Sequence, residues 1–200
     1  MFFNRKILCL LISFLVIFNI NFKAHAVDIA NVSELENGKV IVKSLNTESK
    51  SQLRGAEAKI LIQSPVEKVW DILSDQEHLI KINPRVKNIK ILEKNDISQK
   101  TESEIEIYKF LPTLKYTLLI DQSEKYKKIK FNKIDGCFNQ LYGVVELEPY
   151  QNGTILTYRM YLDLGFPISV SACDDGMKKN ISEALHLLKS KAESNPKNAS

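Results

Sequence analysis

The chain has 200 residues, 44% of them hydrophobic, with 28 Lys and Arg against 24 Asp and Glu. That is enough apolar material for one packed domain, and a net charge of +4 is too small for an electrostatic nucleic-acid surface. Neither a low-complexity tract nor an internal repeat is present, which excludes fibrous and solenoid architectures.

The first 26 residues read as a secretory signal peptide. Arg5 and Lys6 give a positive start, Ile7–Phe18 is an apolar run, and Ala24-His25-Ala26 offers the small residues of a cleavage site, so the mature chain is expected to begin at Val27. A spanning helix needs about 20 apolar residues, and Asn19, Asn21 and Lys23 interrupt the run too early. The expected location is the periplasm or an equivalent extracytoplasmic space. Removing Arg5, Lys6 and Lys23 leaves 25 basic against 24 acidic residues, which weakens any nucleic-acid reading further.

Residues 27–37 are polar and read as a loop. Gly38–Ser44 reads as a short strand, followed by a polar linker over Leu45–Gly55. Ala58–Gln63 is a second strand. Ser64 then looks like an N-cap, with Pro65 at the first helical position and Glu67 three residues after the cap. Val66, Val69, Trp70 and Leu73 share one face of the helix that follows, and Trp70 is assigned to packing. A second short helix, about Gln76–Ile82, must stop before Pro84.

From there the period switches to two. Six runs alternate apolar and charged residues: Ile89/Ile91, Ile105/Ile107, Tyr116/Leu118/Ile120, Ile129/Phe131, Leu141/Gly143/Val145/Leu147 and Leu156/Tyr158/Met160/Leu162. Such a series predicts an antiparallel meander that is wet on one face. Asn152-Gly153 marks the last hairpin. A long amphipathic helix, about Ile168 to Glu193, carries a stripe of Val170, Cys173, Met177, Ile181, Ala184, Leu185 and Leu188. Gly176 interrupts it at a cost of roughly 1 kcal/mol relative to alanine. Close approach to the sheet or room for a ligand would explain it, and a helix starting near Met177 would remove the question. Residues 194–200 form a polar tail.

Catalytic motifs are missing from the mature chain. It holds two histidines, His78 and His186, with no metal-ligand spacing, and no nucleophile elbow or phosphate-binding loop. Neither a metal nor a cofactor is expected. The carboxylate pairs Glu104/Glu106 and Glu146/Glu148 fall on the charged face and read as solvated surface. Lys128 and Lys130, from a basic run at Lys125–Lys133, read the same way, with peripheral contact to anionic lipid as the functional alternative. Cys137 and Cys173, the two cysteines left after processing, are a disulfide candidate in an exported chain, with two free thiols as the other reading.

The order of elements, with Ser64-Pro65, Val69-Trp70, Leu73, Asp75, Pro84-Arg85-Val86, Gly143, Pro149, Gly153-Thr154 and Tyr158, resembles the START and polyketide cyclase/dehydrase superfamily, in particular its coenzyme-Q-binding-protein-like branch. The resemblance spans about Ala58–Glu193. It implies an α+β helix-grip fold over residues 58–193, with residues 27–57 as an N-terminal strand and linker. A curved antiparallel sheet would wrap the C-terminal helix around an apolar cavity. Cavity-lining candidates are then Tyr116, Leu118, Phe131, Gly143, Val145, Tyr158, Met160, Met177, Ile181 and Leu185, with Gly143 and Gly176 supplying missing bulk. The same topology brings Cys137 towards Cys173, a bridge worth roughly 3–4 kcal/mol if formed.

The favoured function is a monomeric binder or carrier of a hydrophobic small molecule, lipid or quinone-like. A cyclase- or dehydrase-like enzyme is the second reading. A non-ligand interaction module, marked by a filled core and a large exposed apolar patch, is the third.

Overall fold

The computed structural model describes residues 29–45, 47, 52–83, 85–106, 113–166 and 169–194. The signal-peptide expectation for residues 1–26, Ile107, Pro84 and the tail from residue 195 lie outside them. Three short segments come first: helix α1 (Ile29–Glu36) and strands β1 (Ile41–Leu45) and β2 (Arg54–Ile62). Helices α2 (Val66–Ser74) and α3 (Gln76–Ile82) follow. The meander is β3 (Val86–Lys94), β4 (Ser98–Ile105), β5 (Leu114–Glu124), β6 (Lys128–Gly136), β7 (Gln140–Tyr150) and β8 (Gly153–Asp163), and helix α4 (Val170–Glu193) closes the chain.

All eight strands form one antiparallel sheet in the order β1-β2-β8-β7-β6-β5-β4-β3. The sheet curves around α4, which packs mainly on β2, where Ala56 and Ala58 take up little room. This is the helix-grip architecture expected from the sequence. Among the described residues no helix is long and apolar enough to cross a membrane.

The period-two pattern works because one set of side chains fills the concave face while the other is charged. Arg159 on β8 shows the outer arrangement. Its guanidinium donates to Glu57 on β2 at 2.5 Å and to Glu146 on β7 at 2.6 Å. Lys43 on β1 and Lys128 on β6 complete a charge ladder across five strands.

Several local expectations are corrected. Residues 29–36 are helical rather than loop. Leu61 and Ile155 point to the convex face, and Leu35 of α1 covers them, itself 2% exposed. The proposed linker is shorter than expected, because Leu45 already pairs with Gly55. Ser64 does not cap α2. The cap position is Pro65, whose carbonyl accepts from Lys68 and Val69, while the buried Ser64 carbonyl accepts from the Thr154 hydroxyl at 2.8 Å. The final hairpin turns on Gln151-Asn152, one residue earlier than the sequence suggests, with Gln151 at φ 51°. Gly153 is instead the first β8 residue, and a Cβ there would lie 2.5 Å from the Ile62 carbonyl oxygen. Val170 is exposed and off the apolar stripe of α4.

Helix α4 is capped at its start and tied to the end of β2 at its finish. The Ser169 hydroxyl accepts from the Ala172 amide. At the other end Lys189 donates to the Leu61 carbonyl at 2.7 Å and Glu193 accepts from the Gln63 amide at 2.6 Å. A helix held this way can span open space in its middle.

Candidate ligand-binding cavity

That space is a cavity of about 360 Å³ between the concave sheet face, α3 and α4. It falls within the ~300–1,000 Å³ typical of small-molecule sites. Every strand from β3 to β8 contributes to its wall. The inward series Tyr116, Leu118 and Ile120, Ile129 and Phe131, and Leu156, Tyr158, Met160 and Leu162 all face it. From α4 come Cys173, Gly176, Met177, Ile181, Ala184, Leu185 and Leu188. Nine of the ten residues singled out from the sequence thus line one space.

Gly143 is the exception, and its role differs from the one expected. A Cβ there would lie 2.2 Å from the Arg159 carbonyl oxygen and 2.5 Å from Cζ of Phe131. The space left by the missing side chain is filled by the Phe131 ring, which stacks on Tyr158 with centroids 6.0 Å apart. Gly176 is the opposite case. It lines the cavity, and a Cβ there would meet nothing within 4 Å. Since α4 begins at Val170, the glycine is inside the helix and its missing side chain is open volume.

The cysteine pairing is corrected. Both thiols are free: Cys173 is buried in the cavity wall, whereas Cys137 is exposed after β6. The topology does bring β6–β7 and the start of α4 to one end of the sheet, but α4 turns Cys173 inward. Burial pushes the Cys173 thiol above its ordinary pKa.

Trp70 is 4% exposed and lies outside the cavity wall, edge-on to Tyr126 with centroids 5.8 Å apart. It is packing, as the sequence suggests. Among the described residues no cluster of His, Cys, Asp and Glu has metal-binding geometry.

The polar part of the wall is what sequence reading missed. β4 turns Gln99, Thr101 and Ser103 inward, all at most 4% exposed. Ser103 sits opposite Tyr116 and Thr101 opposite Leu118. Burial pushes the Tyr116 phenol up to about 12, with the Ser103 hydroxyl bond pulling the other way. Burial also pushes up the Tyr158 phenol, which donates to the Met160 thioether at 3.3 Å. Both phenols therefore stay protonated at neutral pH and act as hydrogen-bond groups rather than bases.

The Gln99 amide bonds to the Ser74 carbonyl and to Gln122, tying β4 to α2 and β5. Thr101 Oγ1 has no partner although the residue is 1% exposed. An unmade bond of that kind costs about 1–3 kcal/mol. Arg85 is the one charged residue among the described residues of the wall. It donates to the Asn180 side chain across the seam between β3 and α4, with Asn83 beside it.

The model of a family described as "polyketide cyclase / dehydrase and lipid transport" matches residues 62–185. Among curated proteins none matches the sequence. Solved structures share the fold. A STAR-related lipid transfer protein fragment from Xanthomonas axonopodis superposes with a TM-score of 0.67 at 16% identity, over 78% of this chain and 94% of that one. Human StAR-related lipid transfer protein 5 gives 0.63 at 14% identity, over 78% and 83%. The Zhui aromatase/cyclase from Streptomyces sp. R1128 gives 0.60 at 14% identity, over 70% and 94%.

Proposed function

Because the chain belongs to the polyketide cyclase / dehydrase and lipid transport family, we propose that it is an exported binding or carrier protein for one hydrophobic small molecule. The observation that carries this reading is the cavity. Its wall is almost wholly aliphatic and aromatic, it has the volume of a small-molecule site, and α4 keeps a glycine where any side chain would enter it. A quinone-like molecule, as the resemblance to the coenzyme-Q-binding branch implies, is one member of the ligand class. Export rests on the reading of residues 1–26, and a monomeric carrier is part of the same proposal.

The third reading required a filled core, and a 360 Å³ cavity is not one. A cyclase-like reaction is favoured by one feature, the pair of protonated phenols on the wall, Tyr116 and Tyr158. They could hold a carbonyl of a bent substrate in place, and turnover lost in Tyr158→Phe would select that reading.

The direct test is organic extraction of protein purified from its own compartment, followed by mass spectrometry. A stoichiometric apolar molecule is expected. Protein that is consistently empty and takes up no apolar molecule would refute the proposal.

A further inference from the structure

We propose that the occupant is a neutral amphipath, an apolar body carrying a hydroxyl or carbonyl oxygen that docks on Thr101 beside Ser103 and Tyr116. This rests on the ligand-binding reading above and adds the polarity and position of the ligand's head. β4 breaks the apolar lining of the concave face at this one shelf. Thr101 lines the cavity, is 1% exposed, and its hydroxyl has no partner. Ser103 and Tyr116, directly opposite each other on β4 and β5, complete the shelf.

An oxygen placed here would satisfy the Thr101 hydroxyl as donor or acceptor. A carboxylate or ammonium would enter a wall whose one charged residue among the described residues, Arg85, lies at the β3–α4 seam and already bonds to Asn180. An ionised head on the shelf would therefore be desolvated without a counter-charge. The shelf selects oxygen and rejects charge.

The test is displacement of the neutral dye N-phenylnaphthylamine by four ligands of one chain length: decanol, decanone, decane and decanoate. Wild-type protein is expected to bind decanol or decanone about ten-fold more tightly than decane. The stronger of the two says whether the oxygen is a hydroxyl or a carbonyl. Thr101→Val, which keeps the shape and suits a strand, should lose that preference while still binding dye and decane. Thr101→Ser, which keeps the hydroxyl, should retain it.

Equal affinity for decanol, decanone and decane would overturn the inference, as would a preference that survives in Thr101→Val. Decanoate binding tightest would also overturn it and move the head group to Arg85. No dye binding at all would overturn the ligand-binding reading itself, and this inference with it.

Discussion

Two glycines that look alike in the sequence have opposite consequences. A methyl at Gly143 would strike the Arg159 backbone carbonyl and the Phe131 ring, and backbone has little room to yield. Gly143→Ala should therefore lower stability by about 2–3 kcal/mol, the upper part of the overpacking range. Gly176→Ala enters open space on a helix and should raise stability by roughly 0.5–1 kcal/mol. Thermal or denaturant unfolding of the two variants reads both signs. The cysteines make a second residue-level case. Alkylation of unreduced, unfolded protein should label both thiols. On folded protein Cys137 should react first, and Cys173, in the cavity wall, should be shielded by an apolar ligand.

Among the elements, β8 is coupled by charge to both of its neighbours, through Arg159 to Glu57 on β2 and Glu146 on β7. Burial alone would raise the Glu57 and Glu146 carboxyls, but the Arg159 bonds, with help from Lys43 and Lys128, hold both below the ordinary carboxylate value. A carboxyl depressed in the folded state stabilises the fold above its unfolded value near 4.5 and loses that contribution as pH falls through the folded value. The unfolding midpoint should thus drop as pH falls below about 4.5. Arg159→Met should unfold about 2–3 kcal/mol more easily at neutral pH, because it takes the guanidinium from the buried Glu57 carboxylate and leaves it to the exposed Lys43, and its acid-side slope should be shallower.

Strand β4 shows how far the sequence was legible at this scale. Alternation placed the inward residues of β5 to β8, because apolar and charged residues sort to opposite faces, whereas on β3 Ile89 lines the cavity but Ile91, beside a register shift, is exposed. On β4 Ile105 faces the cavity as its run suggests, but the inward residues before it are Gln99, Thr101 and Ser103, which no hydrophobic pattern marks. The signal lay in the complement: Lys100, Glu102 and Glu104 are charged and must face out, so the neutral polar residues between them face in. Helix α1 was missed for a related reason. Its eight residues mix apolar and polar side chains without a clear stripe, and its packing comes from Leu35 meeting Leu61 and, 120 residues away in the chain, Ile155. The Cys137–Cys173 pairing failed because topology fixes which end of a sheet a residue reaches, not which way its side chain turns.

For the molecule as a whole, the question is whether the cavity is a binding site or a packing defect. The chain ties α4 to β2 at its C-terminal end and caps it at Ser169, leaving the middle of the helix to bridge unfilled volume. Function and stability therefore oppose each other at Gly176, where filling the space would strengthen the fold and remove the site. Fluorescence titration of N-phenylnaphthylamine into wild-type protein and Gly176→Phe tests this directly. One saturable site per chain is expected in wild type, weakened at least ten-fold in Gly176→Phe without loss of thermal stability. Absence of saturable binding by wild type, or equal affinity in the filled variant, would contradict it.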